Sequence, residues 1–131
     1  MKLHQAIAAA MASASTAAYH GRAPREQSTY PYTVWVVDTS PVPDTAGAAC
    51  WFALTCDTFA RDSATKSGAE LADEAVAALD AVFQRGHLVA SDLSGSSSLI
   101  TRTERGQIVD PEDEGMTRWR TVYNGQWIDR E

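Results

Sequence analysis

Two neighbouring stretches decide the fold, YPYTVWVVD (30–38) and AACWFALTCDTFARD (48–62). Both are rich in the aromatic and β-branched residues that favour extended strands. The turn-rich segment TSPVPDTAG (39–47) separates them, so they are expected to pair as an antiparallel hairpin with a long projecting tip. Alternation in the second stretch predicts one core-facing side, made of Cys50, Phe52, Leu54 and Cys56.

The segment before this hairpin, MKLHQAIAAAMASAS (1–15), has two interpretations. Its lysine, small apolar run and Ala-Ser-Ala are compatible with a secretory signal. At helical spacing, however, its larger apolar residues fall on one side, and alanine is the best helix former. We therefore expect a retained first helix, with an apolar stripe of Leu3, Ile7, Met11, Ala14 and Ala18.

A second helix is expected over Ser63–Arg85, after the hairpin. Ser67 and Glu70 match a capping box, and Gly86 is typical of a helix C-terminal stop. The spacing predicts an apolar stripe of Leu71, Ala75, Ala78, Leu79, Val82 and Phe83. The acidic residues expected to face solvent are Glu70, Asp73, Glu74 and Asp80.

The last third of the chain has weaker strand patterns. A short strand is expected at His87–Ala90, then a loop SDLSGSSS (91–98), then a hairpin of Leu99–Arg105 and Met116–Tyr123. Residues 124–131 are interpreted as a flexible tail. The sequence thus predicts one α+β domain over 1–131, with two helices packed on a mostly antiparallel sheet in the order α-β-β-α-β-β-β.

Composition excludes some classes of function. The formal net charge is −6, whereas a general nucleic-acid binder needs a concentrated basic face. No run of 18 apolar residues occurs, so no membrane span is predicted. Cys50 and Cys56 would lie roughly 20 Å apart along one strand, too far for a disulfide, and are interpreted as small buried hydrophobes.

No catalytic motif is present in the sequence, and we expect no catalytic residue, cofactor or metal site. The three histidines have no ligand-like spacing, and the acidic cluster lacks the spacing of an EF-hand loop. The acidic cluster consists of Asp110, Glu112, Asp113 and Glu114, and it is also a candidate projecting or lumen loop. The alternative function is a small α+β enzyme or ligand-binding domain that uses His87 together with this cluster.

Two groups of residues are candidates for an interface. Arg102, Arg118 and Arg120 are expected on one face of the final hairpin, either paired with acids such as Glu104 or contacting another subunit. The aromatic side chains also exceed what a small core needs. Core packing and an interface are the two alternatives for Trp51, Phe59, Trp119 and Trp127. Of these four residues, Trp127 is the best candidate for an interface, because it lies in a polar segment.

The order of elements resembles the tail terminators, or tail-completion proteins, of long-tailed bacteriophages. The resemblance covers Leu3 to about Tyr123. It depends on two local features besides the order: the strand that opens with Tyr30-Pro31-Tyr32, and CWFALTCDTFARDSATKSGAELADEAVAAL (50–79), in which a strand leads through a short polar turn into an amphipathic helix.

This resemblance implies a structural virion protein rather than an enzyme. Tail terminators form hexameric rings that end tube polymerisation and present a surface to the head connector. The implied partners are further copies of the chain, the major tail-tube protein and the head–tail connector or stopper protein, while DNA passes through the ring without specific binding. A head–tail connector or stopper role is the nearest alternative.

Overall fold

The computed structural model describes residues 2–14, 17–24, 29–108 and 115–129. The fold is α+β, with two helices and a curled, mostly antiparallel sheet of six strands. The helices are α1 (Leu3–Ser13) and α2 (Gly68–Phe83). The strands are β1 (Ala17–His20), β2 (Tyr32–Pro41), β3 (Ala49–Ala60), β4 (Gly95–Ser97), β5 (Thr101–Ile108) and β6 (Thr117–Asp129).

The predicted hairpin forms the centre of the sheet. β2 pairs antiparallel with β3, from Tyr32 opposite Phe59 to Pro41 opposite Cys50. β3 pairs in turn with β6 along its whole length, and the other edge of β6 pairs with β5 and β4. The alternation predicted for β3 is confirmed, because all four expected core residues are buried.

Helix α1 confirms most of the predicted apolar stripe. Leu3, Ile7 and Met11 are buried in the core, and Ala14 is buried where the helix ends. Ala18 lies outside the helix, on the short strand β1, which pairs parallel with β2. The sequence prediction missed β1 because four residues in an alanine-rich segment carry almost no strand signal.

Helix α2 spans Gly68–Phe83, so the predicted start at Ser63 is wrong by five residues, while the capping residue Ser67 is confirmed as the N-cap. The hydroxyl of Ser67 accepts a hydrogen bond from the Glu70 N–H at 3.2 Å, satisfying one of the unpaired donors of the first turn. The buried stripe is rotated relative to the prediction: Ala72 and Val76 are buried, whereas Leu71 is only half-buried. Asp80 also faces the sheet rather than solvent, which corrects the prediction for that residue.

The strands after α2 differ from the prediction. His87–Ala90 forms only an isolated bridge, between Val89 and Ser96, and the Ser/Gly loop instead contains strand β4. With β1 added, the observed order is α-β-β-β-α-β-β-β. The sequence around β4 has a loop composition, and the strand forms through its long-range pairing with β6.

The expected flexible tail is wrong for residues 124–129, because β6 continues to Asp129. Trp127 lies fully buried beneath β4, and its indole N–H donates to Asp129 Oδ1 at 2.9 Å. Gly95 makes room for this ring, since a Cβ at that position would lie 2.5 Å from Cζ2 of Trp127. Residues 130–131 lie outside the described part of the chain.

One core cluster unites both helices with one side of the sheet. It contains Leu3 and Ile7 of α1, Leu79 and Phe83 of α2, and the large side chains of β2, β3 and β6. Those strand side chains are Trp35, Phe52, Leu54, Tyr123 and Trp127. The strand residues that alternate with them form the other side of the sheet.

Candidate functional site

The side of the sheet turned away from the core cluster is the candidate site, and we call it the open face. The strand registers place on it the side chains of Tyr32, Val34, Val36, Asp38, Ser40, Trp51, Ala53, Thr55, Asp57, Phe59, Arg118, Arg120, Val122, Asn124 and Gln126. All of these are half-buried or exposed. The face is therefore accessible and mixed in character, with apolar side chains beside charged and polar ones, a composition typical of protein interfaces.

An ion cluster lies at the centre of the open face. Asp57 on β3 accepts a hydrogen bond from Arg118 Nη2 at 2.8 Å, and it also accepts from Arg120 Nε at 2.8 Å and Nη2 at 3.1 Å. Its carboxylate is only 16% exposed. Burial raises the pKa of Asp57, but the hydrogen bonds from Arg120 and Arg118 outweigh that effect and hold it below its usual value.

Aromatic rings extend the open face on one side of this cluster. Tyr32 stacks on Phe59 with ring centroids 5.0 Å apart, and the Arg118 guanidinium lies over the Phe59 ring at 5.3 Å. A cavity of about 380 Å³ lies here, bounded by the segment 21–24 together with Tyr32, Val34, Asp57 and Phe59. This end combines flat aromatic rings with one carboxylate and two guanidinium groups.

The opposite end of the open face, near the tip of the β2–β3 hairpin, is the most exposed. Trp51 lies between Ser40 of β2 and Gln126 of β6, and 51% of its surface is accessible. Val36 on β2 is 41% exposed. A tryptophan this accessible between polar neighbours contributes little to the monomer, whereas Trp is enriched at the centres of interfaces.

The structure places four of the predicted interface residues on the open face: Phe59, Arg118 and Arg120 lie together at one end, and Trp51 lies at the other. The prediction that Arg102 shares a face with the other two arginines is wrong. Arg102 pairs opposite Tyr123 and forms an ion pair with Asp80 of α2, on the core side. A bulge between Arg102 and Glu104 shifts the alternation of β5, which sequence spacing does not reveal.

Two predicted aromatic residues also lie away from the open face. Trp119 is on the core side of β6, half-buried, with the Arg105 guanidinium 5.6 Å from its ring centroid. Trp127 is fully buried in the core, which confirms the core-packing alternative for this residue and contradicts the interface alternative. Both positions follow from the register of β6 against β3.

Sequence reasoning missed the importance of two carboxylates, Asp57 and Asp80. Each accepts hydrogen bonds from groups far away in sequence: Asp57 from β6, and Asp80 from Tyr123 and Arg102. The sequence indicates only that an acidic residue lies within a strand pattern, for Asp57, and within a helix pattern, for Asp80. Neither partner could be identified without the strand register.

The alternative site around His87 is only partly described. His87 is exposed and borders a cavity of about 390 Å³, which is also lined by Val89, Leu93 and Gly95 to Ser97. The acidic residues that were expected to act with it, Asp110, Glu112, Asp113 and Glu114, lie outside the described residues. The described part of the chain brings no acidic side chain to the lining of this cavity.

Searches against protein-family models and against curated proteins found no match for this chain. Within residues 2–14, 17–24, 29–108 and 115–129, no helix is long and apolar enough to cross a membrane. The same residues contain no group of three or more His, Cys, Asp or Glu side chains placed to hold a metal ion.

Proposed function

We propose that this protein is a structural subunit of a bacteriophage tail, a tail terminator that assembles as a hexameric ring in the neck of the virion. The ring would end polymerisation of the tail tube and present the joining surface for the head connector. We also propose that both helices cover one face of the sheet, as their apolar stripes predict. The shared core cluster of α1, α2 and the sheet supports this arrangement.

The observation that carries the proposal is the open face. A broad sheet surface with exposed Trp51 and Val36 and a central Asp57–Arg118–Arg120 cluster is suited to protein contact rather than to enclosing a small substrate. Arginine and tryptophan are the residue types that dominate binding energy at interfaces. A closed ring requires a heterologous contact, and we propose that the open face supplies one side of it.

The charge of the chain supports a ring through which DNA moves. Six copies at −6 each would carry −36, and such a ring repels the duplex over roughly the Debye length of 8–10 Å. A DNA conduit must not bind phosphates tightly, because phosphate contacts supply the non-specific affinity that holds a protein on the duplex. The balance of charge therefore favours passage of DNA over its retention.

The mass of the purified protein in solution tests the ring. We expect native mass spectrometry and negative-stain images to give six subunits per particle. Trp51→Glu should shift the population to monomers without lowering the thermal midpoint of the monomer, because Trp51 is half exposed. Leu99→Glu is the matched control, since Leu99 is 53% exposed but lies outside the open face, and it should leave the particle intact.

A protein that stays monomeric at all concentrations would overturn the ring. A particle that survives Trp51→Glu would leave the ring in place but remove the open face from its interface. The terminating role is tested separately, by adding the ring to polymerising tail-tube protein from the same phage. Tubes should stop growing at a fixed length, and tubes of unchanged length would contradict a terminator. The gene is expected between the head–tail connector genes and the major tail-tube gene.

A further inference from the structure

The imidazoles of His4 and His20 meet between helix α1 and strand β1. Their ring centroids lie 5.4 Å apart, and the ring planes are tilted by 54°. Both side chains are exposed, so the imidazole nitrogens can be reached from solvent. The residues are 16 positions apart in sequence, and only the fold brings them together.

The separation of the two rings fits a shared metal ion. With Zn–N bonds of about 2.05 Å and a tetrahedral angle, two coordinated imidazoles place their ring centroids about 5 Å apart. The observed separation of 5.4 Å is close to this value. Stacked imidazoles would instead lie nearly parallel, and the 54° tilt excludes that arrangement for this pair.

One of the two rings is held in place by the core. His20 stacks on Trp35 with centroids 4.2 Å apart and planes 14° from parallel. Trp35 is itself buried on β2, opposite His20 in the parallel ladder. The stacking leaves the edge of the His20 ring, where the nitrogens are, available to a ligand.

Solvent can supply the remaining ligands, because both imidazoles are exposed. A cavity of about 220 Å³ lies on the His20 side of the pair, bounded by His20, Trp35 and Ala18 and by the α1 residues Ala8, Met11 and Ala12. The pair thus provides two nitrogen ligands, and water provides the other coordination positions.

We propose that His4 and His20 bind one late first-row divalent metal ion, of the class Cu²⁺, Ni²⁺ or Zn²⁺, with water in the remaining positions. Imidazole suits these ions, and Cu²⁺ is bound most tightly among them. The ion links α1 to the sheet, so its binding stabilises the folded chain. This inference is independent of the proposed ring.

Metal titration of the untagged full-length chain tests the site. Isothermal titration calorimetry with Zn²⁺ should show one ion per chain. Cu²⁺ should quench tryptophan fluorescence, because it binds next to the His20 ring that contacts Trp35. His4→Gln and His20→Gln should each weaken binding by about 100-fold, since either change leaves a single ligand.

His87→Gln is the matched control, because it removes the third histidine, which is exposed and borders a different cavity. It should bind metal as the wild type does. Circular dichroism without metal should show that all three variants are folded. The site would be overturned if all four proteins bound metal with equal affinity, or if His87→Gln lost binding. It would also be overturned if binding depended on only one of His4 and His20, or if the protein bound one ion per two chains.

Discussion

The Tyr123 hydroxyl donates a hydrogen bond of 2.6 Å to Asp80 Oδ1, which joins the centre of the sheet to helix α2. Tyr123 is fully buried, and Asp80 also forms an ion pair with Arg102. Burial, reinforced by the hydrogen bond to Asp80, raises the pKa of Tyr123 well above its usual value. The phenol therefore remains the hydrogen-bond donor to Asp80.

Removal of this carboxylate is expected to destabilise the fold. Asp80→Ala leaves the Tyr123 hydroxyl and the Arg102 guanidinium without their partner and should lower the free energy of unfolding by about 2–3 kcal/mol. Asp73→Ala is the control on the same helix: Asp73 is 68% exposed and paired with Arg105, so its loss should change stability by about 0.5 kcal/mol or less. Urea denaturation of both variants measures the difference. Equal losses would show that Asp80 contributes no more than a surface ion pair.

Two glycines, Gly95 on β4 and Gly106 on β5, lie on strands that both pair with β6, and the same substitution should have opposite effects at the two positions. A Cβ at Gly95 would lie 2.5 Å from the buried ring of Trp127, whereas a Cβ at Gly106 meets nothing within 4 Å. Gly95→Ala should therefore destabilise the protein by about 1–3 kcal/mol through overpacking. Gly106→Ala should be neutral or slightly stabilising, because it only reduces the freedom of the unfolded chain.

Thermal denaturation of the two glycine variants gives the comparison directly. Gly95→Ala should also change the near-ultraviolet circular dichroism of Trp127, because the ring must move. If both variants behave alike, the packing of β4 on Trp127 is wrong, and with it the assignment of residues 124–129 to the sheet.

The parts of the fold that were predictable are those with local signals. Alternation identified β2 and β3, and the Ser67 cap identified the start of α2, because each pattern depends on residues close together in sequence. β4 and the end of β6 were missed because each is stabilised by the other across about 30 residues. A glycine that makes room for a tryptophan cannot be distinguished from a loop glycine until the two strands are paired.

The candidate site was predictable only in part, for a related reason. Trp51, Phe59, Arg118 and Arg120 share the open face because β3 and β6 are in register, and spacing within each strand gave the correct alternation. Arg102 was placed wrongly because the bulge in β5 reverses its alternation. The proximity of His4 and His20 had no sequence signal, since β1 itself was not predicted.

Asp57 should make stability depend on pH in the acid range. Its folded pKa is lower than its unfolded value of about 3.9, so the unfolded state binds more protons as the pH falls. The stabilisation is fully present above the unfolded pKa and is lost as the pH falls through the folded pKa. The gap in unfolding free energy between wild type and Asp57→Asn should thus shrink from pH 7 to pH 3.

Urea midpoints at several pH values measure this gap. Arg120→Gln is the second variant, because it removes two of the three hydrogen bonds that hold the pKa of Asp57 down. It should flatten the acid-range slope without removing the carboxylate. A constant gap between wild type and Asp57→Asn at every pH would contradict the coupling of this group to folding.

The alanine-rich segment at 3–13 is expected to be an essential part of the core. Ile7 is fully buried in the cluster shared by both helices, so Ile7→Ala should lower the free energy of unfolding by about 2–4 kcal/mol. Gln5→Ala, at an exposed position of the same helix, should be neutral or slightly stabilising because alanine has the higher helix propensity. Urea denaturation distinguishes the two variants, and an Ile7→Ala variant as stable as the wild type would mean that α1 packs too loosely to stabilise the sheet.

If the prediction holds, a chain that lacks residues 1–14 loses Leu3, Ile7 and Met11 from its core, and mass spectrometry of the mature protein should find the segment present.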